Sequence, residues 1–299
     1  MECNKIQLVA ILSFIFLVQN IQGWGEEGHA ITCKIAQARL TDAAADAVKQ
    51  LLPAYANDDL SSVCTWADRV KFALRWTSAL HYADTPPKLC NFQYARDCKD
   101  LNGVKDVCVV AAINNYTTQL LDYGKKDTQH NLTQALLFLS HYMGDVHQPL
   151  HTGFTTDKGG NTIDVHWYTR KQNLHHVSDD YNSHHHESSA TISLSALLTE
   201  FLRFRFGMLT LLKQHKKDSM TITLMNTLRT FKKHHDKVAD WEACSSDLAT
   251  CPNVYASEGA KDACEYAYKD APEDATLEGT LRLAQGGVRL AAALNNVFQ

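Results

Sequence analysis

One segment near the middle of the chain combines a helical pattern with a row of ionisable side chains. Residues 132–146 carry apolar side chains at helical spacing, which predicts an amphipathic helix. His141 and Asp145 stand four residues apart and therefore share one face of that helix. Pro149 ends the helix, which allows His151 to turn back toward the same side. The segment therefore predicts a helix that carries imidazole and carboxylate groups into one cavity.

Further His and Asp residues extend this pattern. His175 and Asp179 repeat the four-residue spacing, and Asp68 and His81 lie upstream. Any one of them is more typical of a helix surface or an ion pair than of a ligand. Together they form the mixture of imidazoles and carboxylates that zinc prefers. Because carboxylates can bridge two metals, the set indicates a multinuclear site of the kind found in phosphoesterases.

The first 23 residues have the features of a secretory signal peptide. Lys5 precedes an apolar stretch over residues 8–18, and the small Gly23 precedes Trp24. Cleavage after Gly23 gives a mature chain, residues 24–299, that enters the secretory pathway and ends outside the cell or in the vacuole. No membrane attachment is expected after cleavage. The formal net charge of −4 argues against a protein that binds nucleic acid through basic side chains alone.

Cysteine usage agrees with export. The chain has nine cysteines, and Cys3 leaves with the signal peptide. An even number in an exported chain indicates disulfides, although spacing leaves the pairing open. The remaining cysteines are Cys33, Cys64, Cys90, Cys98, Cys108, Cys244, Cys251 and Cys264. Asn115 and Asn131 each begin an Asn-x-Thr acceptor sequence for N-glycosylation.

The rest of the mature chain is predicted to be mainly helical. Helical patterns cover residues 28–40, 42–52, 61–78, 107–123 and 281–298, with Thr41 or Asp42 as a helix cap. Residues 155–168 predict a small hairpin beside Gly159 and Gly160, and residues 190–241 are helical but basic. A single all-α domain is the simplest interpretation.

Several ordered motifs resemble one known family. They are Trp24-Gly-x4-His29, Trp66-Ala-Asp68, Trp76-Thr-Ser-Ala-Leu-His81-Tyr-x-Asp84-Thr-Pro86, His141-x3-Asp145-x-His147-Gln-Pro-x-His151, Gly159-Gly-Asn161 and Asn173-Leu-His175. The chain resembles the plant bifunctional (type I) nucleases, which are relatives of the fungal single-strand-specific zinc nucleases and of bacterial zinc phospholipase C. The resemblance implies a single-domain, mainly α fold of the phospholipase C/nuclease type with a small β-hairpin.

The resemblance also implies three zinc ions and part of the disulfide pairing. One zinc site is similar to a set of Asp68, His81, His141 and Asp145, and a second to His151, His175 and Asp179. The third would use the α-amine and carbonyl of Trp24, together with His29 and a bridging Asp145, so signal cleavage would liberate a ligand. Cys33 with Cys64 and Cys98 with Cys108 are the implied pairings.

The implied substrates are single-stranded DNA, RNA and nucleotides, cleaved to 5′-phosphate products. A monomer is the default expectation for the oligomeric state. Asp68 would orient a zinc-activated hydroxide, and Lys71 would stabilise the charged transition state. Tyr82 would stack on an unpaired base, and Asp84 would accept hydrogen bonds from its edge. Asn161 would line the same pocket.

The sequence also departs from the family and leaves alternatives open. Ser178 stands where plant relatives carry Trp, and residues 180–240 diverge. A zinc phospholipase C-like phosphodiesterase shares the ligand pattern. A secreted zinc-binding glycoprotein with impaired catalysis would accommodate the divergent segment.

Overall fold

The computed structural model describes residues 24–167, 170–178, 219–244, 251–269 and 272–299. This part of the chain is mainly helical, as the sequence predicts. Its α-helices are α1 (Glu26–Gln37), α2 (Asp42–Leu51), α3 (Trp66–Val70), α4 (Tyr94–Asp97), α5 (Val109–Leu120), α6 (Leu132–Asp145), α7 (Ser219–Lys233), α8 (Val238–Ala243), α9 (Cys251–Asp262) and α10 (Pro272–Val297). Residues 174–178 form a further helical turn.

Shorter elements connect these helices. The 3₁₀ turns are Ala54–Ala56, Leu60–Val63, Arg75–His81, Pro149–Thr152, Thr155–Asp157 and His235–Lys237, and Ala263–Ala267 forms a π-helical turn. Strands β1 (Asp164–Trp167) and β2 (Arg170–Asn173) pair antiparallel, with Asp164 opposite Asn173. Among the described residues, no helix is long and apolar enough to span a bilayer.

Helix α6 forms the centre of the core. The Asn131 side chain caps it by accepting a hydrogen bond from the Gln134 amide at 3.0 Å. Every residue from Ala135 to Asp145 is buried, so the helix has no solvent-facing side along its last three turns. Helix α5 packs along it, where the rings of Tyr116 and Phe138 stack at 4.8 Å. The polar end of α6 is therefore enclosed by protein on all sides.

Helix α10 closes the core against α1. A β-carbon at Gly287 would lie 2.5 Å from the Ile35 side chain, so only glycine permits this backbone approach. Helix α2 follows α1 after a short turn, and Thr41 caps it through a 3.3 Å hydrogen bond from the Ala44 amide. Because α1 is held between α6 and α10, its first turn has a fixed position beside the end of α6.

The predicted helix over residues 61–78 is wrong. The segment consists of the Leu60–Val63 turn, α3 and the Arg75–His81 turn. The Cys64 carbonyl oxygen accepts a 2.8 Å hydrogen bond from His141 Nδ1, which lies outside the segment. A contact at the end of α6 thus replaces a bond that a continuous helix would make internally.

Two other boundaries differ from the prediction. The hairpin follows Gly159 and Gly160, as the sequence predicts, but β2 extends beyond residue 168. Helix α10 begins at Pro272, nine residues before the predicted start at residue 281. In the predicted helical region 190–241, α7 and α8 are helical, whereas residues 190–218 lie outside the described residues.

Four disulfides join all eight cysteines of the predicted mature chain. The structure pairs Cys33 with Cys64 and Cys98 with Cys108, the two pairings that the resemblance implies. It also pairs Cys90 with Cys264 and Cys244 with Cys251. The Cys33–Cys64 bridge ties α1 to the segment that precedes α3, so it links the elements that carry His29 and Asp68.

Candidate metal centre

Asp145, the last residue of α6, lies at the centre of a buried group of histidines. Its Oδ1 is 3.3 Å from His29 Nε2 and 3.4 Å from His151 Nδ1. Its Oδ2 is 2.9 Å from His81 Nδ1 and 3.1 Å from His141 Nε2. One carboxylate therefore contacts four imidazoles that come from four separate elements.

Asp68, on α3, is the second carboxylate of this buried group. Its Oδ1 lies 3.6 Å from His141 Nε2 and 3.7 Å from His81 Nδ1. Lys71, one turn further on, donates to the same oxygen at 2.8 Å, and both side chains are largely buried. Asp68, His81 and His141 offer ligand atoms within 4.8 Å of one another, as do His29, His141 and Asp145.

Backbone carbonyls orient three of the imidazoles. His141 Nδ1 donates to the Cys64 carbonyl at 2.8 Å, and His151 Nδ1 donates to the His81 carbonyl at 2.7 Å. His175 Nδ1 donates to the Gly159 carbonyl at 2.7 Å. A proton held on Nδ1 leaves the lone pair on Nε2, which is how proteins present histidine to a metal.

Most of the clustered histidines favour the neutral form that binds metal. Burial lowers the pKa of His29 to about 4 and that of His175 to about 3. It also lowers the pKa values of His81 and His151. Burial acts in the same direction on His141, but the charges of Asp145 and Asp68 outweigh it and raise its pKa.

The two carboxylates remain ionised despite their burial. Burial alone would raise the pKa of Asp145, but His141 and His151 hold it well below its usual value. Burial would also raise the pKa of Asp68, which His141 and Lys71 lower. Lys71 offsets the charge of Asp68, whereas the histidines around Asp145 mostly favour the neutral form, so a bound cation would balance the buried charge of Asp145.

The donor set fits divalent metal ions. Within the part of the chain that the structure describes, the buried atoms without a hydrogen-bond partner include His29 Nε2, His81 Nε2, His151 Nε2 and Asp145 Oδ1, all at the centre. Buried polar atoms in proteins are otherwise almost always paired. Imidazole nitrogens and carboxylate oxygens are ligands of zinc. These residues could therefore hold metal, and the unpaired atoms are those that a metal would use.

The other predicted ligands are Trp24, His175 and Asp179. The ring of His175 stacks on that of His151 with a centroid distance of 5.0 Å, so it borders the cluster. Trp24 lies two residues before the start of α1, and its buried side chain packs on Gly28, beside His29. Asp179 lies outside the described residues. Ser178 precedes it, and its hydroxyl donates to Gln148 Oε1 at 3.4 Å.

Two of the predicted substrate residues, Tyr82 and Asp84, lie in an extended segment that follows His81. The amides of Ala83 and Thr85 donate to the carbonyls of His151 and Gly153, which places Tyr82 and Asp84 next to the candidate ligands His81 and His151. Burial raises the pKa of Asp84 well above its usual value, and the charge of Asp157 adds to this effect. The side-chain amide of Asn161 donates to the Lys158 carbonyl at 2.8 Å.

Sequence patterns missed the acidic neighbour of Asp84. Asp157 accepts hydrogen bonds from the Gly160 amide at 2.6 Å and from the Tyr268 hydroxyl at 2.7 Å. The Tyr268 ring stacks on that of Phe154 at 4.6 Å. Tyr268 is 111 residues away in the sequence, so its contact with Asp157 could not be read from local spacing.

A second polar network, also missed, supports the loop after α6. His147 Nδ1 donates to the Met143 carbonyl at 2.8 Å, and Arg289 donates to His147 Nε2 at 3.0 Å. Arg289 and Arg282 both bind Glu258. These contacts fix the turn between Asp145 and His151 against α9 and α10, and they give His147 a supporting place behind the metal centre.

Comparisons with known proteins agree with this geometry. The S1/P1 Nuclease family model matches residues 24–299. Endonuclease 2 of Arabidopsis thaliana is 48% identical over 308 residues, which cover 99% of this chain and 97% of that protein. Endonuclease 4 of the same plant is 44% identical over 95% of this chain and 93% of its own length. Nuclease S1 of Aspergillus oryzae is 32% identical over 69% of each chain.

Proposed function

Because this chain belongs to the S1/P1 nuclease family, we propose that it is a secreted, zinc-dependent endonuclease that hydrolyses phosphodiester bonds in single-stranded DNA and RNA. The observation that carries the proposal is the convergence of imidazoles on two buried carboxylates, Asp145 and Asp68. The same residues match the motifs of the resemblance, and three plant relatives named endonucleases match 95 to 99% of this chain. Products would carry 5′-phosphates, and 3′-mononucleotides are further candidate substrates.

Three zinc ions would be held by the ligand sets that the resemblance implies. Asp145, which faces His29 and His141 from different oxygens, would bridge two of the ions. His151, His175 and Asp179 would hold another. When bound, zinc supplies a Lewis acid for the phosphate and lowers the pKa of water to about 7. The N-terminal amine of Trp24, once liberated by signal cleavage, would complete the set beside His29.

The protein groups around these ligands would position the substrate. Asp68 would orient the attacking hydroxide. Lys71, bonded to Asp68 at 2.8 Å, would offset the charge that develops on the phosphate. Tyr82 would stack on an unpaired base, and Asp84 would bond to its edge. A base inside a duplex hides that edge, which accounts for the single-strand preference.

The test uses the secreted chain after signal cleavage, with its N-terminal sequence verified to begin at Trp24. We expect zinc to copurify, and we expect single-stranded DNA and RNA to be digested faster than duplex DNA. A chelator should stop digestion and added zinc should restore it. His141→Ala should lose zinc and activity, whereas His166→Ala, an exposed histidine on β1, should retain both. Release of phosphorylcholine from phosphatidylcholine without nucleotide release would favour a phospholipase instead, and full zinc without any hydrolysis would contradict the proposed activity.

A further inference from the structure

A groove on the outer face of α5 borders the turn that carries His81, although its described lining residues include none of the candidate metal ligands. The cavity has a volume of about 840 Å³, within the size range of small-ligand sites. Its floor is one face of α5, including Ala112, Asn115 and Gln119. The Arg75–His81 turn forms one wall, and the loop around Leu101 forms another. Tyr82, which follows His81 in the chain, also lines the groove.

Exposed apolar groups mark this groove as a binding surface. The Trp76 side chain is 60% exposed and that of Leu101 is 73% exposed, and both line the cavity. Large apolar side chains that cluster on a surface usually have a partner. An indole face of this kind suits a ring with an apolar face, such as a base or a pyranose sugar.

The charges of the groove distinguish between these two partners. Asp100 and Asp106 line it, whereas Arg75 is the one cation among its described lining residues. A hydrogen bond from the Val104 amide lowers the pKa of Asp100, so this carboxylate is ionised at neutral pH. Two anions against one cation repel a phosphodiester chain. A neutral sugar would instead use the carboxylates and amides as hydrogen-bond acceptors.

Asn115 lines the groove and is also a candidate attachment site for a sugar. It is exposed, begins the acceptor sequence Asn115-Tyr-Thr117 and stands between Ala112 and Gln119 on the floor. A glycan attached to Asn115 would therefore start inside the groove. We infer that the first sugars of an N-linked glycan on Asn115 occupy this groove and stack on Trp76. The inference rests on the export that we propose above, because glycosylation requires the secretory pathway.

Asn131 offers a matched control site. It is also exposed and begins an acceptor sequence, but it does not line the groove. Its Oδ1 caps α6, which leaves the amide nitrogen available for a glycan. The two sites thus differ in surroundings while sharing one chain and one host.

The experiment measures the release of each glycan from the native secreted protein. Peptide-N-glycosidase is added, and glycopeptides are quantified over time by mass spectrometry. We expect release at Asn115 to be slower than at Asn131. Trp76→Ala should speed release at Asn115 about tenfold, which corresponds to the loss of about 1.4 kcal/mol of ring contact. Tyr55→Ala, which removes an aromatic 66% exposed and outside the groove, should change neither rate.

Several outcomes would overturn the inference. Release at Asn115 that is fast and insensitive to Trp76→Ala would remove the stacking contact, provided that thermal melting shows the variant folded. Occupancy at Asn131 but not at Asn115 would refute the inference alone. Absence of glycan at both sites in a retained chain would refute the proposed export as well. In the unglycosylated Asn115→Gln protein, an increase in KM for oligonucleotides on adding Trp76→Ala would assign the groove to nucleic acid instead.

Discussion

Gly144 lies directly against the imidazole of His29. A β-carbon at residue 144 would come within 2.6 Å of His29 Nδ1, closer than any side chain allows. This approach lets α1 and α6 pack so that His29 Nε2 lies 3.3 Å from Asp145 Oδ1. Gly144 has no side chain to bind a metal, but its lack of a β-carbon determines whether His29 can reach Asp145.

We expect Gly144→Ala to displace His29 and to reduce zinc affinity or activity by about 10- to 100-fold, the usual effect of disturbing the support of a metal ligand. Metal content and nuclease rate after titration with zinc would measure it. Gly286→Ala is the control, because its β-carbon would meet His147 and Thr32 no closer than 3.4 Å. Unchanged zinc binding in a folded Gly144→Ala protein would show that His29 is not a ligand.

Asp145→Asn should reduce the number of bound zinc ions per chain more than Asp68→Asn does. Asp145 contacts four histidines through both oxygens, whereas Asp68 contacts His81 and His141 through one. We therefore expect the Asp145 variant to lose two ions per chain and the Asp68 variant at most one. Elemental analysis of dialysed protein, normalised to chain concentration, would decide. Equal zinc in the two variants would contradict a bridging role for Asp145.

The sequence predicted those parts of the molecule that depend on local spacing. Helix α6 begins and ends within one residue of its prediction, because a continuous apolar pattern and the Asn131 cap define it. The His141–Asp145 spacing on that helix correctly placed both side chains on one face. The predicted helix over residues 61–78 failed because Cys64 bonds to His141, a contact between segments 77 residues apart.

Sequence patterns also could not predict polar contacts between residues far apart in the chain. Nothing in the spacing of Asp157 connects it with Asp84 or with Tyr268, which comes from the end of the α9 region. Likewise, Arg282 and Arg289 have the sequence character of surface residues on α10, yet both are buried against Glu258. Such pairs are recognised only once the helices that carry them are packed.

The Asp84–Asp157 pair predicts a pH-dependent nucleotide pocket. Burial and the Asp157 charge raise the pKa of Asp84, so its carboxyl stays protonated to a higher pH than an ordinary aspartate. Asp157→Asn removes that charge but retains an oxygen to accept from Tyr268 and Gly160. We expect the midpoint in a plot of nucleotide Kd against pH to move to lower pH. Asp164→Asn, on exposed β1, should leave the midpoint in place, and an unmoved midpoint in both variants would exclude the coupling.

An extra residue before Trp24 should impair the enzyme selectively. If the liberated amine of Trp24 is a ligand beside His29, an added alanine replaces it with an amide nitrogen that cannot bind zinc in the same way. We expect loss of one zinc ion per chain and most of the activity. Alanine added after the exposed Gln299 is the control and should have neither effect. Full zinc content in the N-terminally extended protein would exclude the amine as a ligand.

A buried ion-pair network connects the loop behind the metal centre with α9 and α10. Glu258 accepts hydrogen bonds from Arg289 at 2.6 and 2.9 Å and from Arg282 at 2.8 Å. The arginine side chains are only 4% and 1% exposed, whereas that of Glu258 is 35% exposed. Burial would raise the pKa of Glu258, but the arginines outweigh it and lower the pKa below its usual value.

The sign of the resulting pH effect follows from that lowered pKa. An unfolded glutamate has a pKa of about 4.3, so the Glu258 contribution to the free energy of unfolding is complete above this pH and disappears as the pH falls through the lower folded value. Glu258→Gln should lower the free energy of unfolding by about 2 kcal/mol at pH 7, because two buried arginines lose their anion. The difference between wild type and variant in guanidinium unfolding should shrink toward zero in acid. Glu265→Gln, on the exposed side near Lys261, should change stability little at any pH, and a Glu258 effect that persists unchanged in acid would disprove the ionic origin.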